Sequence, residues 1–180
     1  MKKGCAEYIK SDLYRYCGSL SFKSFIKRYL LEAGFRKMIP IRMAQSQMYV
    51  VSILGKFLNI LSRNGPMKIS YKTKIGYGFY IGHGGPVVID NTAVIGNNCN
   101  ISQFLTIGSN KGLAAIIGDN VYIGPSVCIV EDVKIGNNVT IGAESVVTKD
   151  IPDNATACGN YVKVVNYNNP ARFIGCKWKV

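Results

Sequence analysis

An aliphatic residue returns every six positions through the second part of this chain. The units are headed by Ile69, Ile75 and Ile81, then by Ile89, Ile95, Ile101 and Ile107. Ile117, Ile123, Ile129, Ile135, Ile141 and Val147 complete the series. Neither the 3.6-residue period of a helix nor the two-residue period of a strand generates that spacing. A fixed hexapeptide period is the signature of a parallel β-helix. Each unit supplies one short strand and one corner, and three units make a triangular coil. Coils stack at the roughly 4.8 Å spacing of paired strands. The heading residues then form columns inside the coil, while Gly, Asn and Asp allow tight corners. The sequence predicts a mainly β chain. A helical region spans residues 1–65, the β-helix residues 66–165 and a tail residues 166–180.

Two steps break the period: Ile81 to Ile89 is eight residues and Ile107 to Ile117 is ten. Both predict loops that leave the coil. The first contains the sole histidine of the chain, in Ile81-Gly82-His83-Gly84-Gly85-Pro86. Counting along the coil, His83 lies two past Ile81 and Gln103 two past Ile101, so the two are predicted to stack. Pro125 and Ala143 are the next equivalents. This column begins with an imidazole and an amide and ends small, which suits a reacting centre beside a groove for a slender ligand. Histidine is the side chain best suited to accept a proton near neutral pH. Asp90 is the nearby carboxylate that could orient it, and a backbone carbonyl would also serve.

The first third of the chain reads as helical. Apolar residues recur at three- and four-residue steps through Leu13, Tyr16 and Leu20, then Phe22, Phe25, Ile26, Tyr29 and Leu30. Gly34 and Pro40 interrupt the pattern. Ile41 to Leu61 is predicted as one longer amphipathic helix, ended by Arg63-Asn64-Gly65-Pro66. The net charge of +12 is uneven: residues 1–68 carry 13 Lys/Arg against 3 Asp/Glu, and residues 69–180 carry 9 against 7. Such a basic segment is a solvated face or a surface for an anionic membrane or acidic glycan. No RNP-like motif or helix-turn-helix points to nucleic acid.

The start, Met1-Lys2-Lys3-Gly4-Cys5-Ala6-Glu7, has no apolar core of a signal peptide. The longest apolar stretch, Tyr49 to Leu61, is broken by Ser52, Lys56 and Asn59, so no membrane span is expected. A cytoplasmic location follows as the expectation. The six cysteines contain no Cys-x-x-Cys pair, which argues against zinc or dithiol chemistry and for reduced thiols.

Longer phrases carry a resemblance. His83-Gly84-Gly85-Pro86-Val87-Val88-Ile89-Asp90-Asn91-Thr92-Ala93-Val94-Ile95 matches a catalytic His, a short glycine-containing loop and E-T-A-V-I. Gln103-Phe104-Leu105-Thr106-Ile107-Gly108 matches Q-x-V-T-[IL]-G. Ile123-Gly124-Pro125-Ser126 and Ile141-Gly142-Ala143-Glu144-Ser145-Val146-Val147 are similar to I-G-A-G coils. These phrases resemble the hexapeptide-repeat acyltransferases, in their serine acetyltransferase-like branch. Asp12-Leu13-Tyr14-Arg15-Tyr16 resembles relatives encoded for capsule and exopolysaccharide synthesis.

The resemblance implies a left-handed β-helix, a homotrimer with sites between subunits, and acetyl-CoA as co-substrate without a metal. His83 would take the proton of an acceptor hydroxyl, and backbone N–H groups would hold the oxyanion. Gln103, Gly84 and Gly85 would border the acceptor. Gly124, Pro125, Ser126, Gly142, Ala143, Lys149 and Lys163 would line the CoA groove, with Lys163 facing a CoA phosphate.

This chain departs from the serine enzymes at three places. Their Asp before the histidine corresponds to Lys68, their serine-contacting Asp to Gly82, and their Arg-His pair falls in residues 109–115, which contain neither. Gly159-Asn160-Tyr161-Val162-Lys163-Val164 stands where the family reads G-x-P-A-K, and Asn169-Pro170-Ala171-Arg172 repeats something close. The expected activity is therefore acetyl transfer to a sugar or polysaccharide-precursor hydroxyl, with serine acetylation as the alternative. A non-catalytic scaffold binding membrane through its basic helices is the second alternative. A γ-type carbonic anhydrase would need three histidines.

Overall fold

The computed structural model describes residues 4–62 and 64–180. Met1, Lys2, Lys3 and Arg63, named above for the polar start and the helix breaker, lie outside the described residues. Four helices come first: α1 (Cys5–Cys17), α2 (Phe22–Leu31), α3 (Ala33–Ala44) and α4 (Tyr49–Leu61). The strands follow as β1 (Met67–Ile69), β2 (Lys74–Ile75), β3 (Tyr80–Ile81), β4 (Val87–Ile89), β5 (Val94–Ile95), β6 (Asn100–Ile101), β7 (Leu105–Gly108) and β8 (Ile116–Ile117). Then come β9 (Tyr122–Ile123), β10 (Cys128–Val130), β11 (Lys134–Ile135), β12 (Thr140–Ile141), β13 (Val146–Val147), β14 (Thr156–Cys158) and β15 (Lys163–Asn166).

The strands assemble into three faces of a parallel β-helix. One face is ordered β1-β4-β7-β10-β13, a second β2-β5-β8-β11, and a third β3-β6-β9-β12-β14-β15. Every third strand thus pairs in parallel as far as β13, β12 pairs in parallel with β14, and only β15 turns back, antiparallel on β14. All thirteen heading residues are buried, none more than 6% exposed. The core is richer than the six-residue period indicates. Strand alternation also points the residue two places earlier inward, so Phe79, Val87, Ala93, Cys99, Leu105, Val121, Val127 and Val139 are fully enclosed beside the headers.

The first coil has no coil beneath it, and bare strand edges leave backbone groups unpaired. Side chains of α1 and α3 replace the missing coil. The guanidinium of Arg42 donates to the carbonyls of Ile75 and Gly76, each at 2.7 Å. Asp12 accepts from the Phe79 amide, Ser11 from the Gly78 amide, and Arg15 donates to the Gly78 carbonyl.

Two helix expectations are corrected. Pro40 lies inside α3 instead of ending it. Residues 41–61 are not one helix, because the chain turns after Ala44 and resumes as α4. Ser52 of α4 donates its hydroxyl to the Ala44 carbonyl at 2.8 Å, which satisfies the broken end of α3. Gly55 allows this reversal. A Cβ there would stand 2.2 Å from the Ala44 nitrogen, so no other residue fits the crossing.

Candidate active site

His83 stands at the corner between β3 and β4, exposed and with φ of 61°. Single residues with positive φ recur up this corner at Phe104, Ser126 and Glu144. Only at His83 does a second follow directly: Gly84 has φ of 59°, and its amide donates to the Gly82 carbonyl at 2.9 Å. This tight pair absorbs the two surplus residues of the first long step. Gly84 is doubly constrained, since a Cβ there would also lie 3.0 Å from that of Ala33.

The corner is braced from the helical side. The Tyr16 hydroxyl accepts the Ile81 N–H and donates to the Ile81 carbonyl, both at 3.1 Å. Burial pushes its phenol far above the usual range, so it remains a donor at neutral pH. Its ring rests on Tyr80 and Phe35, with centroids at 4.4 Å and 5.7 Å.

Register places Gln103 at this corner in the next coil. Ile81 pairs with Ile101, and Val87 with Leu105. Counted from the first pair, His83 is level with Gln103; counted from the second, Gly85 is. The residue packed on Gln103 is Gly85, where a Cβ would lie 2.7 Å from the Gln103 Cβ. His83 thereby bulges off the column instead of sitting in it. Gln103 Oε1 is buried and finds no donor among the described residues.

Asp90 is turned elsewhere. Its Oδ1 accepts from the Thr92 amide at 2.8 Å and the Thr92 hydroxyl at 2.6 Å. Those two hydrogen bonds hold its carboxyl below the usual carboxylate range. The expectation that Asp90 orients His83 is corrected: its carboxylate closes its own corner, and no described residue hydrogen-bonds the His83 imidazole.

Above Gln103 the same corner continues through Gly124, Pro125 and Ser126, then Gly142 and Ala143. The Ser126 amide donates to the Gln103 carbonyl at 3.0 Å and the Glu144 amide to the Pro125 carbonyl at 2.9 Å. Lys163 pairs with Cys158, whose Cβ lies 2.8 Å from where a Gly142 Cβ would be, so it reaches the top of this column. Lys149 does not. It follows β13 and sits at the next corner of the coil, on the far side of that face.

Below His83, a cleft of about 310 Å³ opens between α3, the end of α4 and the first coil. Gly84 and Ala33 line it, together with Arg36, Lys37, Pro40 and Pro66. Burial lowers the pKa of Lys37, whose ammonium donates to Ser62. Among the described residues, no group of three or more His, Cys, Asp or Glu is placed to hold a metal ion.

The fold and this corner match known proteins. The family described as bacterial transferase hexapeptide (six repeats) matches residues 114–149. A serine acetyltransferase of Neisseria gonorrhoeae, solved in complex with serine, superposes with a TM-score of 0.73. It is 30% identical, over 88% of this chain and 68% of that one. The chain belongs to the hexapeptide-repeat acyltransferases, in the serine acetyltransferase-like branch. The soybean serine acetyltransferase apoenzyme gives a TM-score of 0.72 at 30% identity, over 90% of this chain and 69% of that one. Serine acetyltransferase 3, mitochondrial, of Arabidopsis thaliana is 44% identical over 108 residues, which is 58% of this chain and 25% of the relative. The serine acetyltransferase of Staphylococcus epidermidis RP62A is 36% identical over 135 residues, 72% of this chain and 62% of the relative. The chain thus spans between a quarter and two thirds of these curated relatives.

Sequence reasoning missed how the histidine corner is supported. Tyr16 was legible only as an apolar position in a helical pattern, and Ala33 as part of a break at Gly34. No spacing rule links either to a corner 65 residues after Tyr16, or to Gly84 well after Ala33. The signal available was the phrase Asp12-Leu13-Tyr14-Arg15-Tyr16, of which Asp12, Arg15 and Tyr16 proved to face the first coil.

Proposed function

We propose that this chain is an acetyl-CoA-dependent O-acetyltransferase with His83 as the general base. The observation that carries the reading is the bulged, exposed imidazole at the foot of a corner of small residues. His83 accepts the proton of the acceptor hydroxyl as its oxygen attacks the thioester carbonyl. The C–S bond then breaks, and the proton passes to the departing CoA thiolate. Gly124, Pro125, Ser126, Gly142 and Ala143 leave room for the pantetheine arm along the column, and Lys163 meets a phosphate at its top. Gln103 Oε1, buried and without a donor, accepts a hydrogen bond from a bound substrate. Lys149 belongs to this groove only if a neighbouring subunit of a homotrimer brings its own corner close.

Serine is the acceptor that the relatives favour, since those reported above are named serine acetyltransferases. A sugar hydroxyl is the second reading, and a specific feature favours it. The cleft beside Gly84 is lined by Arg36 and Lys37, and Lys68 and Gly82 stand where the serine enzymes carry carboxylates. A cationic cleft suits an acidic or phosphorylated sugar better than the ammonium of free serine.

The test is free-thiol release from acetyl-CoA, with L-serine and a panel of sugars and nucleotide sugars, for wild type and His83→Ala. Turnover that falls about 10²–10⁴-fold in the variant supports the base. The acceptor that turns over settles the choice. No turnover with any acceptor, together with no thermal shift from CoA, leaves the scaffold reading.

A further inference from the structure

Helix α4 is apolar on nearly every side, yet little covers it. Tyr49, Val50, Phe57, Ile60 and Leu61 are 79%, 76%, 57%, 60% and 65% exposed, and Gly55 is its one buried residue. It packs chiefly on α3, at the end of the β-helix that the helices close. Soluble chains rarely leave a contiguous apolar surface of this size without a partner. The helix is too short to cross a bilayer, and no described helix is long and apolar enough to do so.

The charge around it selects the partner. No Asp or Glu occurs from residue 33 to residue 89, while eight Lys or Arg do: Arg36, Lys37, Arg42, Arg63, Lys56, Lys68, Lys72 and Lys74. Several of these cations border α4 in space. Lys56 lies on the helix with its ammonium 5.9 Å from the centroid of the Tyr71 ring. Lys37 reaches the end of α4 at Ser62, at 3.2 Å. Lys68 shares with Asn59 and Ile60 a groove of about 800 Å³. The acidic member of that groove, Asp90, stays ionised under its bonds from Thr92 and is outnumbered there by Lys37 and Lys68. A second copy of the chain would bring like charge against like charge here. An anionic lipid surface meets both features, because apolar side chains enter the acyl boundary while lysines reach the headgroups.

We propose that α4 and its surrounding lysines are a docking face for an anionic membrane surface, on which the chain lies without spanning. The proposal does not depend on the catalytic reading. The test is co-sedimentation of the full chain with vesicles of phosphatidylcholine alone and of phosphatidylcholine mixed with phosphatidylglycerol, at low and high salt. Binding is expected to the mixed vesicles only, and to weaken as salt screens the charges. Ile53→Glu/Phe57→Glu and, separately, Lys56→Glu are expected to weaken it at least about tenfold. Both sites are exposed, and unchanged circular dichroism and thermal unfolding confirm that the variants fold. Equal binding to both vesicle types, no binding, or wild-type binding by Ile53→Glu/Phe57→Glu overturns the proposal. So does a lipid-free oligomer, seen by light scattering, that the double variant dissociates while vesicles bind neither protein; the face then belongs to a second copy.

Discussion

The Arg42 Nε lies 2.8 Å from the Asp12 Oδ2, and both side chains are essentially sealed from water. Thirty residues separate them in the chain, and together they join α1 and α3 to the open end of the β-helix. Removing one partner leaves a buried charge uncompensated, which costs about 3–5 kcal/mol. Arg42→Ala also strips the Ile75 and Gly76 carbonyls of their donor. We therefore expect a marked drop in the urea midpoint for Arg42→Ala. Trp178, the single tryptophan, packs edge-on against Tyr14 of α1 and can report it by fluorescence. Asp12→Leu/Arg42→Met should lose less than Arg42→Ala, since no lone charge remains. An unchanged midpoint in Arg42→Ala would remove the capping role.

Gly84 tests the histidine corner. A side chain there meets a left-handed backbone, worth roughly 1–2 kcal/mol, and also crowds Ala33. Gly84→Ala is expected to lower the urea midpoint and to reduce acetyl transfer, while CoA still shifts the melting temperature. A variant as active as wild type would show that the bulge need not hold His83 in place.

Asp90→Asn separates two roles. Because the carboxylate is committed to Thr92, the substitution should leave acetyl transfer near wild type. Its effect belongs to stability. A depressed carboxyl pKa contributes stability that is present at neutral pH and lost as pH falls through that pKa. Urea midpoints measured from neutral pH downward should therefore fall less steeply in Thr92→Val than in wild type. Loss of turnover in Asp90→Asn would restore an orienting role for Asp90.

Three cysteines mark the extremes of reactivity. Cys158 and Cys176 are exposed, whereas Cys99 is fully buried in the inner column. Burial pushes its thiol up to about 12, so thiolate is scarce at neutral pH. A chromogenic disulfide reagent should titrate Cys158 and Cys176 in the native protein and Cys99 only in denaturant. Fast native loss of Cys99, followed by mass spectrometry, would mean that the coil opens far more readily than its packing indicates.

Much of the fold was legible because its rule is local. Each heading residue from Ile69 to Val147 repeats the same requirement, an aliphatic side chain pointing inward on every strand. The second inner column was not read. Its members are mixed, from Phe79 and Leu105 to Thr73, Ala93, Cys99 and Ser145, and their common address appears only once strand alternation is imposed on each short strand. The continuation of α3 through Pro40 and its end at Ala44 escaped for a related reason. A proline is tolerated where α3 packs against its neighbours, and the turn after Ala44 depends on Gly55 and Ser52 arriving from the next helix.

What the sequence determined by itself was the β-helix, the place of its two loops, and the histidine in the first of them. Periodicity and single-residue chemistry suffice for those. The tertiary structure alone decided that Gly85 and not His83 packs on Gln103, that Asp90 turns to Thr92, and that Lys149 leaves the column while Lys163 joins it. It alone showed Asp12, Arg15, Tyr16 and Arg42 serving as the missing coil. Each of those outcomes rests on hydrogen bonds or packing between residues brought together by coiling. Directional contacts of that kind have no period in the sequence, because they depend on where two separate segments come to rest.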